Sequence, residues 1–235
     1  MNKTMIAAAA LSALTLTGCT TGSANPRERF YRSLAPQANP SAVIATELAF
    51  AREARKEGQW TAFREYAAED AVMFVPEAVN AQEWLSDRED PAQPVQWQPH
   101  EVWSSCDGSL SVTKGAWQRP DGSVGYFTTV WRRTERRRGE DEYRWVLDQG
   151  APLDEPLPEP DIIQTTVADC GGDALPVAPA SSPGLASGSG GSRDRTLTYA
   201  WDVAPDLSRT LTVTMLIDGE AEEVLAVAVP APGDG

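Results

Sequence analysis

The stretch VGYFTTVWRR, residues 124–133, is rich in β-branched and aromatic side chains and predicts a long β-strand. Extended segments lie on both sides of it, at Leu110–Gln118 and Tyr143–Asp148. Turn residues separate the three segments, with Pro120-Asp121-Gly122 before the quoted stretch and Gly139 after it. Because short turns join antiparallel neighbours, these segments predict an antiparallel sheet.

Upstream of this sheet, apolar residues recur at helical spacing. We expect a first helix that has Ser41 as its N-cap and stops at Gly58. The further elements expected here are a helix at Trp60–Ala67, a short strand at Ala71–Val75 and a helix at Ala81–Asp87. Helices followed by antiparallel strands predict an α+β domain over residues 41–150, in which the N-terminal helices pack on one face of a strongly curved sheet.

The C-terminal part divides into a linker and further strands. Residues 151–195 are rich in Pro, Gly and Ser, a composition typical of linkers. Three strand-like runs follow at 196–203, 209–217 and 222–229. Because three strands are about the fewest that form a stable sheet alone, we expect this β-meander to pack on the first domain.

The N-terminus has the layout of a secretory signal. Lys3 is the one charged residue in 1–18, and the apolar run is shorter than the ~20 residues that a membrane-spanning helix needs. The run ends in Leu16-Thr17-Gly18-Cys19, which looks like a bacterial lipobox, with cleavage before Cys19 and acyl chains such as palmitate on that cysteine. An ordinary signal peptide with a cysteine at its cleavage site is the alternative.

The lipobox implies a protein anchored by lipid in the bacterial cell envelope. Residues 19–40 are polar and interrupted by three prolines, so we expect a flexible tether between the lipid and the folded part. Thr20 follows the cysteine, where an Asp would favour retention in the inner membrane. The sequence therefore favours the periplasmic side of the outer membrane.

Charge and cysteine content restrict the partners. The chain has 20 Lys and Arg against 34 Asp and Glu, and this net charge of −14 opposes nucleic-acid binding. Cys106 and Cys170 remain as an even pair in an oxidising compartment, which suggests a disulfide, with two free thiols as the alternative. The sequence has no phosphate loop, nucleophile elbow or zinc spacing, so we expect no metal and no other cofactor.

The order of several segments between about Ala45 and Gly150 resembles the nuclear-transport-factor-2-like superfamily, especially its SnoaL-like bacterial members. The segments are Lys56-Glu57-Gly58 followed by Trp60 and Phe63, YAAEDAVMF at 66–74, GYFTTVWR at 125–132 and WVLD at 145–148. The resemblance implies a cone in which three helices pack into a bent sheet with a pocket at the wide end. The superfamily includes isomerases, cyclases, dehydratases and non-catalytic proteins, so the fold alone does not define a function.

The catalytic positions of the isomerase-like branch are not occupied by catalytic residues in this chain. The resemblance places the general-base Asp directly before the proline that ends the first strand, where this sequence has Val75. It places the tyrosine proton donor at Ala51. We therefore favour a non-catalytic protein.

Three other residues are candidates for acid–base chemistry. His100 is the one histidine of the chain, Asp148 ends a strand and could face the pocket, and Asp70 lies in a turn. Each also has a structural interpretation: packing or surface for His100, strand ending for Asp148, and a turn with local hydrogen bonds for Asp70. The strand aromatics expected to line an apolar pocket are Tyr126, Trp131, Trp145 and Trp103.

The sequence leaves three functional hypotheses. The first is an envelope lipoprotein that binds a small apolar ligand or a partner protein, and the second is an isomerase-, dehydratase- or cyclase-type enzyme that uses a pocket Asp or His. In the third, the cone is a platform that presents the C-terminal meander. Five arginines within residues 132–138 could meet lipid phosphates or an acidic partner, or form a solvated hairpin tip next to three acidic residues.

Overall fold

The computed structural model describes residues 37–135, 141–177 and 184–233, and its architecture is α+β. The helices are α1 Pro40–Glu57, α2 Gln59–Tyr66 and α3 Ala81–Leu85. The strands are β1 Ala67–Phe74, β2 Ala78–Asn80, β3 Gln96–Ser104, β4 Leu110–Gln118, β5 Val124–Glu135, β6 Asp141–Leu153, β7 Gln164–Val167, β8 Ala186–Gly191, β9 Leu197–Val203, β10 Arg209–Ile217 and β11 Glu220–Val229. The signal segment, Cys19, most of the tether and the turn at Gly139 lie outside the described residues.

Helix α1 begins two residues earlier than predicted, with Asn39 as its N-cap in place of Ser41. The side-chain oxygen of Asn39 accepts a hydrogen bond from the Ala42 N–H at 3.3 Å, and Pro40 occupies the first helical position, where a missing N–H has no cost. The expected N-cap Ser41 is wrong, because it lies inside the first turn. The helix ends at Gly58 as predicted, where φ of 123° suits a residue without a Cβ.

The main sheet is mixed, with strand order β2-β1-β6-β5-β4-β3-β7. Strands β3 to β6 form the expected antiparallel meander. Two pairs are parallel, however: β1 with β6, and β7 with β3. Both β1 and β7 reach their partners through long connections, which permit the parallel direction that a tight hairpin forbids. The prediction of a purely antiparallel sheet is therefore wrong.

A second, antiparallel sheet has the order β11-β10-β9-β8. Strands β9, β10 and β11 match the predicted meander, whereas β7 and β8 come from the segment expected to be a linker. Strand β8 has the sequence ASGSGG, which carries no apolar or β-branched signal. A Cβ at its Gly188 would lie 2.6 Å from the indole of Trp201, so glycine allows that ring to cover the strand. Packing, and not propensity, makes this segment a strand.

The two sheets share one hydrophobic core. Trp131 of β5 points towards α1, with its ring centroid 6.0 Å from that of Phe50, so the next residue, Arg132, points to the other face of the sheet. Arg132 lies close enough to Tyr199 of β9 to interact electrostatically with it. The second sheet therefore packs on the face of the main sheet that lies away from the helices, and its Leu197, Leu211, Val213, Met215 and Leu225 join the common core.

A disulfide joins Cys106, in the turn between β3 and β4, to Cys170, which follows β7. The segment around Cys170 also bridges the sheets, because the Ala168 N–H bonds to Ser104 and the Asp169 N–H to Leu216. The cross-link therefore lies where the chain passes from one sheet to the other. None of the described helices is both long and apolar enough to cross a membrane.

Candidate functional site

An aromatic cavity of about 250 Å³ lies between the helices and the main sheet. Helices α1 and α2 supply one wall, and β1, β3, β4, β5 and β6 supply the other. The aromatic lining residues are Phe50, Trp60, Phe63, Phe74, Trp97, Trp117 and Phe127. The volume is below the ~300–1,000 Å³ of sites for drug-sized ligands, so this cavity suits a small molecule.

Trp117 forms a fixed wall of the aromatic cavity. A Cβ on Gly125, its partner on β5, would lie 2.2 Å from the indole ring, so glycine is what allows the ring to lie across that strand. The indole N–H donates to the Tyr126 carbonyl at 2.8 Å, which fixes the orientation of the ring. The guanidinium of Arg119 lies 4.7 Å from the ring centroid, within the range of a cation–π interaction. One indole of the lining therefore already has a cation on it.

Asp148 is the one carboxylate among the residues that line the aromatic cavity. It lies on β6 opposite Thr129 of β5, and the Thr129 hydroxyl donates to Asp148 Oδ2 at 2.7 Å. Burial raises the pKa of Asp148 to about 7, and the negative charge of Glu47 acts in the same direction, against the threonine hydrogen bond. The group can therefore exchange a proton near neutral pH.

Glu47 of α1 is fully buried behind the cavity. Its Oε1 accepts from the Trp97 indole at 2.8 Å, and its Oε2 accepts from the Thr113 hydroxyl at 2.6 Å and the Trp131 indole at 2.9 Å. Burial raises the pKa of this carboxyl, and the three hydrogen bonds oppose the increase. Because Trp97 also lines the cavity, Glu47 fixes a second indole of the wall.

The two carboxyls are connected through one row of side chains across the sheet. Thr113 of β4 pairs with Thr129 of β5, and Thr129 pairs with Asp148 of β6, so the three side chains share the face that α1 covers. Glu47 bonds to the first member of this row and Asp148 is the last. The arrangement combines an aromatic cavity with an acid that titrates near pH 7, which can hold a polar group of a ligand or transfer a proton to it.

The structure does not bring the three predicted acid–base residues together. Asp148 lines the cavity, as the sequence suggested it could. His100 is buried and lines a separate groove with Arg55 and Glu159, where burial lowers the pKa of its imidazole against the opposing effect of Glu101 and Glu159. The neutral imidazole is therefore the favoured form there.

Asp70 forms an ion pair on the opposite side of the sheet. Its two carboxylate oxygens accept from the Arg132 guanidinium at 2.6 and 2.9 Å. This partner holds the pKa of Asp70 below its usual range, against partial burial. A carboxylate stabilised in this way is a poor proton donor near neutral pH, and the pair has a structural role.

The four strand aromatics that we expected to line the pocket do not line the aromatic cavity. Trp131 and Trp145 are fully buried, and Trp103 is 7% exposed, so all three belong to the core. Tyr126 lies on the opposite face of β5 from Phe127, on the side where the second sheet supplies Arg209. Tyr126 therefore lies on the strand face that points away from the helices, whereas Trp131 and Trp145 face the helices but pack in the interior and not at the cavity.

Sequence analysis also missed Glu47. A signal was present, because Glu47 lies four residues after Val43 and three before Phe50, within the apolar face of α1. A carboxyl on that face must be buried, and a buried carboxyl needs partners.

The arginine-rich segment contributes little to a free basic surface where it is described. Arg132 pairs with Asp70, and Arg133 is buried and donates to the Asp107 carbonyl at 2.8 Å. Arg136, Arg137 and Arg138 lie outside the described residues. Within the described part of the chain, no group of three or more His, Cys, Asp or Glu is arranged to hold a metal ion.

Comparison of the sequence with protein-family models and with curated proteins finds no match. Function is therefore inferred from the geometry of the aromatic cavity, from Asp148 in its lining and from Glu47 behind it.

Proposed function

We propose that this chain is a lipid-anchored protein of the bacterial envelope that binds a small, largely apolar ligand in the aromatic cavity. The observation that carries the proposal is the cavity itself: seven aromatic side chains surround about 250 Å³ next to the carboxyl of Asp148, which forms no ion pair with any of the described residues. Apolar walls supply the affinity, and one polar group supplies the orientation of the ligand.

The rigidity of the walls supports binding. The Trp117 indole is bonded to the Tyr126 carbonyl and the Trp97 indole to Glu47, so these rings are ordered before a ligand arrives. A site that is already ordered loses less conformational entropy on binding.

Native mass spectrometry of residues 20–235, purified from a bacterial periplasm, tests the proposal. The wild-type protein should retain a small molecule, and Val75→Trp, which fills the cavity, should not. Ile162→Trp is the matched control, because it adds the same side chain at a position that is 68% exposed. A mass retained equally by all three proteins would place the ligand elsewhere.

The cone-shaped fold of the nuclear-transport-factor-2-like superfamily and the lipid anchor are parts of the same proposal. Helices on one face of the sheet, with the cavity between them, support the cone. The lipobox supports acylation of Cys19, and Thr20 directly after it supports a place in the outer membrane facing the periplasm. Cys19→Ser should abolish incorporation of labelled palmitate and release the protein into the soluble periplasmic fraction.

An acid–base enzyme of the isomerase, dehydratase or cyclase type is the second candidate. The observation that favours it is the pKa of Asp148 near 7, which suits a general acid or base. The molecule identified by mass spectrometry should then be converted by the wild-type protein and only bound by Asp148→Asn. Binding without turnover in both proteins would exclude this candidate.

A further inference from the structure

We propose that the ligand of the aromatic cavity is a small organic cation, an amine with methyl-sized substituents on its nitrogen, whose charge lies against the indole rings beside Asp148. The inference rests on the proposed small-molecule binding and deepens it by naming the chemical class.

The composition of the walls is the first argument. Three of the seven aromatic lining residues are tryptophans, Trp60, Trp97 and Trp117, and indole is the aromatic ring that attracts cations most strongly. A cation desolvated among such rings gains more than one at an exposed site. Arg119 on Trp117 shows that this wall accepts a positive charge at its outer end.

Acidic groups lie in and behind the walls, which also favours a cation. Asp148 and Glu47 lie close enough for the charge of Glu47 to raise the pKa of Asp148, and neither carboxyl takes part in an ion pair among the described residues. Glu47 is fully buried and Asp148 is half-buried, and a charge removed from water is costly unless it has a partner. A positively charged ligand would supply that partner, whereas an anionic ligand would add a third charge of the same sign.

The affinity for a cation should depend on pH, because Asp148 titrates near neutral pH and few other charged groups lie around it. Glu47 faces it from α1, Arg119 lies at the end of β4, and Arg209 of the second sheet lies 5.2 Å from the ring of Phe74. The other side chains that line the cavity are neutral. A cation beside Asp148 favours its ionised form, so binding near neutral pH should release a proton, and affinity should increase as the pH rises through about 7.

A pair of ligands with equal shape and different charge tests the inference. Choline carries a trimethylammonium group, and 3,3-dimethylbutan-1-ol has the same skeleton with carbon in place of nitrogen. Both are titrated into residues 20–235 while the indole N–H resonances of Trp97 and Trp117 are followed by NMR. We expect choline to bind at least about tenfold more tightly than the alcohol at pH 8, and its advantage to shrink at pH 5.5.

Three variants locate the effect. Asp148→Asn should remove the pH dependence and most of the preference for choline, and Val75→Trp should abolish binding of both compounds. Glu57→Gln, at an exposed position of α1, should behave as the wild type. A choline preference that Asp148→Asn leaves unchanged would overturn the inference.

Different results would overturn the proposal of small-molecule binding and the inference that the ligand is a cation. If the neutral alcohol binds as tightly as choline, or more tightly, the cation inference is overturned and small-molecule binding stands. If neither compound shifts the two indole resonances and native mass spectrometry also finds an empty cavity, both are overturned.

Discussion

Replacing Asp148 by Asn should stabilise the folded protein, and the gain should grow with pH. The carboxyl has a pKa of about 7 when folded and about 3.8 when unfolded, so the folded state binds the proton more tightly. A group raised in this way contributes most stability below the unfolded pKa and loses it as pH rises towards the folded pKa. Each pKa unit corresponds to about 1.4 kcal/mol, so the wild type loses on the order of 4 kcal/mol by pH 9, of which about 3 kcal/mol is lost between pH 5 and pH 9.

The asparagine carries no charge at any of these pH values and keeps an oxygen that can accept from the Thr129 hydroxyl. Urea unfolding of the wild type and Asp148→Asn at pH 5, 7 and 9 measures the difference directly. The free-energy difference between the two proteins should increase by about 3 kcal/mol in favour of the variant across this range, with most of the increase below pH 7.5. A difference that stays constant from pH 5 to pH 9 would refute the argument that burial raises this pKa.

Three further predictions concern the interior and the cross-link. Glu47→Leu should lower the free energy of unfolding by at least about 3 kcal/mol, because three buried donors lose their acceptor. The control Glu57→Gln, at the exposed end of the same helix, should change the free energy of unfolding by less than about 0.5 kcal/mol. Urea unfolding at pH 7 compares the two variants with the wild type. Replacing Cys106 and Cys170 by serine should cost about 4 kcal/mol, since the bond closes a separation of 64 residues, and urea unfolding of the oxidised wild type gives the reference. Asp70→Asn should cost less than about 1 kcal/mol in the same assay, because the Asp70 side chain is 65% exposed and surface ion pairs contribute little.

The class of the fold was predictable because its long elements carry strong local signals. Strand β5 is rich in aromatic and β-branched residues, and α1 has a regular apolar face that stops at a glycine. These signals identify α+β, and they locate β4 and β10 with the bounds that the structure has.

The features of the fold that the sequence did not predict depend on contacts between distant parts of the chain. Strand β8 exists because the rings of Trp201 and Tyr199 cover Gly188 and Gly190, and no property of ASGSGG alone predicts that. The parallel pairing of β7 with β3 likewise depends on where a long connection returns to the sheet.

An apolar pocket was predictable from the sequence, but the residues that line it were not. Aromatic strands suggested an apolar pocket, yet the alternation of side chains has two possible phases, and a bulge at Val146 of β6, opposite Val130 and Trp131 of β5, shifts the pairing of these two strands. Asp148 could be named because it ends a motif, whereas Glu47 needed the inference that a carboxyl on an apolar helical face must find donors across the sheet.

The hydrogen bonds of Glu47 also bear on the order of folding events. They join α1 to residues 50, 66 and 84 positions further along the chain, on three successive strands. The carboxyl can leave water only when all three strands are in place, so we expect α1 to dock after the meander has formed, as slow non-local contacts do. Interactions that form after the transition state retard unfolding without accelerating folding, so this buried acid should lengthen the lifetime of the native state.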